Sequence, residues 1–356
     1  MSDWFEDLTG FPEQSPDQVR AQLELQENIL TSKVNGRSWH AGKLETPTLG
    51  ELRRRVARLA LPSGRLQVRE VVADVRDLHA DPENAGAAFQ VASQFNLLEM
   101  ADPDITPEQG VGIYQHDPTQ GPACATSAGA GTIQRNYFTE VDGLPGQARD
   151  RQIDCLADLG RLLGNEDGRL WKMKNGYALA SEEGLDIIGN RLLKADEAEI
   201  DALRRALRVG IQWHTEVTTP GCGHRVTQIF CSALPIGYSR HSPDSWAPFA
   251  RLVLEAAYEA TLCAALLNHE ETGSPRIFLT LLGGGAFGNQ QEWIVDAMSR
   301  ALAVYSDTEL DVVLVARGPG QGISKKVING MAAAQPAAVP QASRAGSRNR
   351  SEKEKN

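Results

Sequence analysis

Ile277-Phe278-Leu279-Thr280-Leu281-Leu282, followed by Gly283-Gly284-Gly285-Ala286-Phe287-Gly288-Asn289, is the run on which the fold turns. A short apolar segment bounded by turn residues has the length and composition of a buried parallel strand. From Gln290 the pattern changes: Trp293, Ile294, Ala297, Met298, Ala301 and Leu302 recur three and four residues apart, the spacing of a helix packed on a sheet. A strand that feeds a glycine-rich turn into a helix gathers unpaired backbone N–H groups and the positive end of a helix dipole at one point. A phosphate or pyrophosphate fits there. Glycine matters because a Cβ would hold the ligand away from the backbone. Phe287 among the glycines is either a stacking surface for a base or ribose or a plug that fixes the loop on the core, and residue type leaves both open.

Working outward, Pro248 is suited to the first turn of a helix running to about Leu267, with Ala256, Ala257, Ala260, Ala264 and Ala265 allowing close packing. Ahead of it, residues 211–217 and 226–235 read as strands joined by the turn at Gly221-Cys222-Gly223. His214 and Glu216 share a face of the first by period two, as catalytic partners or as an exposed polar face. Beyond the glycine loop and its helix, residues 310–316 form another buried strand. The order helix, strand, glycine loop, helix, strand is that of an α/β fold with parallel neighbours.

Further upstream, residues 195–209 and 150–164 have helical patterns, and 171–179 reads as a hairpin around Asn175-Gly176. Ala88 to Met100 starts like a buried strand yet carries Gln90, Ser93, Gln94, Asn96 and Glu99. Amides at a strand end have the donors and acceptors to grip sugar hydroxyls or a base edge; equally, they cap turns. Asp117, Thr119 and Gln120 precede a run of small residues from Ala123 to Gly131, which permits close approach to a ligand or another backbone. Asp117 there either positions a water or caps a Pro-rich turn. Leu66 to Val75 alternates as a strand. The first forty-odd residues read as an accessory segment: a helix over 16–30, a hairpin at Val34-Asn35-Gly36-Arg37, then a second helix after Thr46 with Pro47 in its first turn.

The whole chain has 356 residues, enough for one large domain or two small ones. A formal charge of -10 and a pI near 5.3 argue against a general nucleic-acid surface. No apolar run reaches the ~20 residues of a membrane span, and the start, with Trp4, Phe5, Glu6 and Asp7, lacks the form of a signal peptide, so a cytoplasmic protein is expected. Five scattered cysteines without a Cys-x-x-Cys pair read as reduced thiols. Cys222-Gly223-His224 has no second pair at finger spacing, and no metal is expected. The expected organisation is an N-terminal helical and hairpin segment over 1–62, an α/β domain over 63–330, and a basic low-complexity tail over 331–356.

The segment Gly285-Ala286-Phe287-Gly288-Asn289, with the Ala-rich helix and the strand ending at Ser232-Ala233-Leu234-Pro235 before it, resembles the macrodomain fold, and within it the microbial poly(ADP-ribose) glycohydrolases. The resemblance covers roughly residues 226–317. It implies an α/β, macrodomain-like mixed sheet flanked by helices, whose Gly283, Gly284, Gly285, Ala286, Phe287, Gly288 and Asn289 wrap the diphosphate of ADP-ribose, Phe287 packing against the ligand. Phe89 to Asn96 sits where the family has a strand ending in an Asn-rich turn, which implies Asn96, with Gln94, at the distal ribose. The chain departs from the family in one respect: no Gly-Gly-Gly segment followed by Gln-Glu-Glu occurs between residues 96 and 150. Asp117 by preference, or Glu99 or Gln120, is then expected to position or deprotonate a water.

The function this implies is recognition of ADP-ribose or an ADP-ribosylated substrate, with hydrolysis of an ADP-ribosyl bond. No cofactor and no membrane are implied, and nucleic acid enters only as a modified target. Two other readings stand beside it: a non-catalytic reader of ADP-ribose or a related NAD-derived nucleotide, and an NAD(P)-dependent oxidoreductase. The latter rests on Gly283, Gly285 and Gly288 satisfying G-x-G-x-x-G, but it meets Ala316-Arg317 where the ribose-binding acid belongs.

Overall fold

The computed structural model describes residues 3–60, 64–318 and 322–333. Seven strands form the central sheet: β1 (Lys43–Glu45), β2 (Gln67–Val72), β3 (Ala88–Ala92), β4 (Gly210–Glu216), β5 (Arg225–Cys231), β6 (Arg276–Leu279) and β7 (Asp311–Ala316). Across the sheet they run β1-β4-β5-β3-β6-β7-β2. β5, β3, β6, β7 and β2 are mutually parallel, while β4 is antiparallel to both β5 and β1. The mixed sheet flanked by helices expected of a macrodomain-like fold is therefore present. The principal helices are α1 (Leu49–Val56), α2 (Gln120–Ser127), α3 (Pro243–Thr272), α4 (Gln291–Val304) and α5 (Ile323–Ala333).

Period-two alternation assigns each strand residue to a layer. On β5, Cys231 lies against Thr261 of α3, whereas Gln228 donates to the carbonyl of Cys124 on α2 and Phe230 lies under Arg135. On β3, Gln90 turns to Thr261 while Phe89 stacks between His79 and Phe278. The sheet is thus covered by α3, α4 and α1 on one face and by α2 and the helix Val75–Ala80 on the other. α3 is the longest helix, and most of its residues from Trp246 to Asn268 are buried, as the Ala-rich pattern requires. It starts at Pro243, capped by the Ser242 side chain, rather than at Pro248. Pro248 lies inside the helix, where it forgoes the bond to the carbonyl four residues back.

Several local expectations need correction. The helix expected over 16–30 stops at Gln22, and Leu23–Gln26 pairs antiparallel with Ile29–Ser32 through a turn at Glu27 (φ 48°) and Asn28 (φ 69°). Two side chains in the left-handed region disguise a tight turn that glycine would have announced. The Asn35-Gly36 turn then leads into Ser38–His40 as expected. α1 begins at Leu49, after a capping box between Thr48 and Glu51, so Pro47 lies outside it. Residues of the first 62 also enter the main fold: β1 is an edge strand of the sheet, and α1 packs on α3. The helix expected over 150–164 is confined to Ala157–Leu163, and the one over 195–209 to Glu197–Ala206. A bulge lies between Gln212 and Thr215, beside His214 (φ 53°), and His214 and Glu216 do not pair with each other. His214 instead pairs with Glu271, and Glu216 accepts the His40 amide. Of the tail, 331–333 closes α5 and 334–356 lies outside the described residues. Among the described residues no helix is long and apolar enough to cross a membrane.

Candidate active site

β3 and β6 are neighbours whose onward connections leave in opposite directions, β3 toward β4 and β6 toward β7. Such a switch point opens a crevice at the carboxyl ends of the strands. A cleft of about 300 Å³ lies there, lined by Ser93, Gln94 and Glu99 beyond β3, by Asp117 and Gln120 at the start of α2, and by Thr280 to Gly283 with Gly285 to Phe287 beyond β6. Residues 94–120 and 283–287, far apart in sequence, thus meet on one cavity.

The glycine loop is held at both ends and open in the middle. Asn289 N–H donates to the Gly283 carbonyl (2.9 Å), and the Asn289 side chain donates to Leu234 (2.9 Å). Gly237 N–H donates to the Phe287 carbonyl (2.9 Å), stapling the loop to the end of β5. Gly283 (φ 73°) and Gly288 (φ 72°) need the left-handed backbone that glycine tolerates. Between them, the amides of Gly285, Ala286 and Phe287 enter no backbone hydrogen bond among the described residues, and a Cβ built on Gly285 meets nothing within 4 Å. That leaves three consecutive N–H groups for an anion. Gly288 and Asn289 support the loop and do not line the cleft, and Gly284 faces a second cavity.

Phe287 is half-buried in a cluster with Tyr177 (ring centroids 5.3 Å apart) and Tyr238 (5.7 Å), all three on the cleft. The Tyr177 hydroxyl donates to the Met100 carbonyl (2.6 Å), so this cluster joins the two walls. The ring packs in this cluster and lines the cleft at once.

The opposite wall is a braced turn. Gln94 accepts the Met100 amide on its side-chain oxygen (2.9 Å) and Asn96 accepts that of Leu98 (3.1 Å). Asn96 also donates to Gln152 (2.9 Å), is fully buried and does not line the cleft. Gln120 accepts the Ala92 amide (2.9 Å) and donates to the Gln90 carbonyl (2.8 Å), continuing the hydrogen bonding of β3 with a side chain. Asp117 lines the cleft half-buried, with one oxygen accepting the Thr119 amide (2.8 Å). It therefore caps the turn while its side chain also lines the cleft.

Glu99 differs from these. The residue is 3 % exposed, lines the cleft, and keeps its Oε1 without a hydrogen-bond partner among the described residues. A Cβ on Gly121 would fall 2.1 Å from its Oε2, so α2 can pack against the carboxyl only because that residue is glycine. Burial pushes the Glu99 pKa well above the usual carboxylate range; Arg135 opposes the rise and Asp117 adds to it. Arg135 is itself fully buried, lies 3.8 Å from the Phe230 ring centroid, and donates to Leu97 (3.2 Å) and Thr132 (3.0 Å). Burial lowers its pKa to about 10, which keeps it charged at neutral pH. A buried carboxyl with a raised pKa and a free oxygen, facing a cavity that Asp117 also lines, has the chemistry a general acid needs.

A second cavity of about 440 Å³ continues beyond Gly284 and Gly285 to Glu70 at the end of β2 and Ile323 on α5. Gln120, Gly285 and Arg317 border both, making one trough with a waist at the glycine loop. Arg317 is exposed and donates to the Pro118 carbonyl across it. Glu70 accepts the Ser324 amide (3.2 Å) and keeps a buried Oε1 without a partner among the described residues. Tyr238, Arg135 and Glu70 carry no sequence signal for a site: Arg135 stands alone in a run of small and mixed residues, and Tyr238 follows a strand end without a motif. Among the described residues no group of acidic, His and Cys side chains is placed to hold a metal ion.

No protein-family model matches the chain, and no curated protein matches it by sequence. Among solved structures, it is similar to apo poly(ADP-ribose) glycohydrolase from Deinococcus radiodurans, with 12 % identity, a TM-score of 0.42, and coverage of 82 % of this chain and 92 % of that one. It is also similar to the glycohydrolase from Thermomonospora curvata, with 13 % identity, a TM-score of 0.41, and coverage of 88 % of this chain and 97 % of that one.

Proposed function

We propose that the trough binds an ADP-ribosyl group and that the protein hydrolyses the bond joining it to a target. The observation that carries this reading is Glu99: a buried carboxyl with an uncommitted oxygen, aimed into the cleft opposite three consecutive free amides. The amides of Gly285, Ala286 and Phe287 hold the diphosphate, and the trough on either side of the loop takes the two ends of an elongated nucleotide. Phe287, Tyr177 and Tyr238 pack on the sugar next to Glu99. In the reaction the bond from the ribose anomeric carbon to the departing oxygen breaks as Glu99 delivers its proton to that oxygen. A water oxygen bonds to the same carbon, and its proton passes to Asp117. Solvent then restores both carboxyls. Arg135, charged behind Glu99, stabilises the carboxylate left after the transfer.

Calorimetric titration with ADP-ribose, with NAD as control, tests the binding half. Wild type binds at micromolar strength and Gly285→Glu loses about a hundredfold or more, because the new side chain fills the cleft without a clash in the fold. Binding of NAD alone would sink this reading in favour of the oxidoreductase. The reader alternative is favoured by one observation: Gln120 and one oxygen of Asp117 are already spent on backbone groups. Binding without release of ADP-ribose from a modified peptide would decide for it.

A further inference from the structure

The N-terminal segment is built into the wall that carries Glu99. Phe5, Leu8, Phe11 and Val19 form a second apolar cluster with Leu98, Met100 and Tyr114, so both chain neighbours of Glu99 are anchored in N-terminal packing while Glu99 itself lines the cleft. At the edge of this cluster lies Glu13, whose carboxylate accepts the amides of Val111 (3.0 Å) and Gly112 (2.7 Å) and the hydroxyl of Tyr137 (2.5 Å). Trp4 donates its indole N–H to the Val111 carbonyl (3.0 Å), so the Val111 peptide is gripped from both sides. The fit is close: a Cβ on Gly110 would fall 2.3 Å from Glu13 Oε2, and one on Gly112 would fall 2.4 Å from Asp3 Oδ2. From that grip the chain runs through a single helical turn, Gly112–His116, to Asp117. In that turn the buried Tyr114 hydroxyl accepts the Glu99 amide (3.0 Å).

We propose that Glu13 is a positioning residue: by clamping the amides of Val111 and Gly112 it fixes the turn whose Tyr114 hydroxyl holds the Glu99 amide and whose end brings Asp117 to the cleft. The hydrogen bonds from Glu13 through Tyr114 to Glu99 involve no residue of the glycine loop, so the clamp bears first on the reacting carboxyls rather than on ligand affinity. The inference rests on the ADP-ribosyl hydrolase reading for its kinetic consequence and on hydrogen bonding alone for the clamp.

The test uses the full chain and Glu13→Gln, which keeps the size but turns one acceptor into a donor facing backbone N–H groups. With an ADP-ribosylated peptide as substrate, kcat falls by about tenfold or more, while the Kd for ADP-ribose stays within about twofold of wild type. Amide hydrogen exchange quickens at Glu99 and at 111–114 and is unchanged at 283–289. Tyr137→Phe, which removes one donor and leaves the carboxylate, gives a smaller shift in the same direction. Unchanged kcat and unchanged exchange in Glu13→Gln overturn the proposal, as does a parallel loss of kcat and ADP-ribose affinity with faster exchange throughout, the mark of plain destabilisation. Should wild type release no ADP-ribose, the hydrolase reading falls and exchange alone decides the clamp: local quickening at 99 and 111–114 upholds it, and its absence removes it.

Discussion

On the β3 side of the cleft, Gln94, Asn96 and Gln120 each spend a side-chain carbonyl on a backbone amide. On the β6 side, Gly285, Ala286 and Phe287 offer backbone amides that no described backbone group takes. One wall uses side chains to complete its own backbone; the other strips side chains away so that its backbone can serve a ligand. The difference predicts where substitution acts. On the β3 wall a change costs stability, with Glu99 as the exception, because its buried carboxyl keeps an oxygen uncommitted. On the β6 wall a change costs binding, except where a glycine holds the loop's own shape.

The largest effect is expected at the exception. Glu99→Gln keeps ADP-ribose affinity within about threefold but lowers kcat by about 10²-fold or more, measured as release of ADP-ribose from a modified peptide. The same substitution has a signature in stability. Because the folded pKa of Glu99 is raised, its contribution is fully present below the unfolded value of 4.5 and is lost as pH rises through the folded pKa. Urea titrations should show that loss in wild type and not in the variant. Full turnover in Glu99→Gln would remove Glu99 from the acid role.

Next in size, Gly283→Ala should destabilise by about 2–3 kcal/mol in denaturant melts, since its Cβ would fall 2.4 Å from that of Ala233 at a φ of 73°. Gly285→Ala, with open space and no such φ, should cost under about 1 kcal/mol. Equal costs at the two positions would erase the division between supporting and presenting glycines.

Beneath the β3 wall, His79 stacks on Phe89 at 3.8 Å and accepts on Nε2 from the Gln228 amide, with Nδ1 bonded to the Val75 carbonyl. This network assigns the neutral ring, and burial takes its pKa down to about 4 from 6.5. A depressed pKa contributes stability that is complete above the unfolded value and is lost as pH falls from 6.5 toward 4. Between pH 7.5 and pH 5 this amounts to about 2 kcal/mol, and the step should be missing from His79→Gln. Smallest is Gln120→Ala, which strands the Ala92 amide and the Gln90 carbonyl and should cost about 1–2 kcal/mol. A change in kcat larger than that loss of folded protein explains would give Gln120 a chemical role.

What could be read from the sequence was what short-range pattern encodes. The strand at 276–279, the glycine loop and α4 follow from a change of period, and the Asn175-Gly176 hairpin from its dipeptide. The hairpin at 23–32 escaped because Leu23, Leu25 and Leu30 suit either period and its turn holds Glu27 and Asn28. Roles within the site were harder. Gln94, Asn96 and Glu99 look alike as polar residues at a strand end, and only burial and partners separate two braces from one carboxyl with a free oxygen. Arg135 and Tyr238 act through residues remote in the chain, which no local pattern records.

The pairing of β2 bears on how this molecule is made. Gln67 lies opposite Asp311 and Val72 opposite Ala316, and among the described residues β7 is the only strand on which β2 pairs. A strand formed early in synthesis therefore keeps its edge unsatisfied until nearly the whole sheet has left the ribosome. Pairing so distant makes assembly slow and exposes an apolar edge meanwhile. Arg69 and Glu70 within β2 break up that edge with charge, so the strand that waits longest also carries its own guard against pairing with another chain.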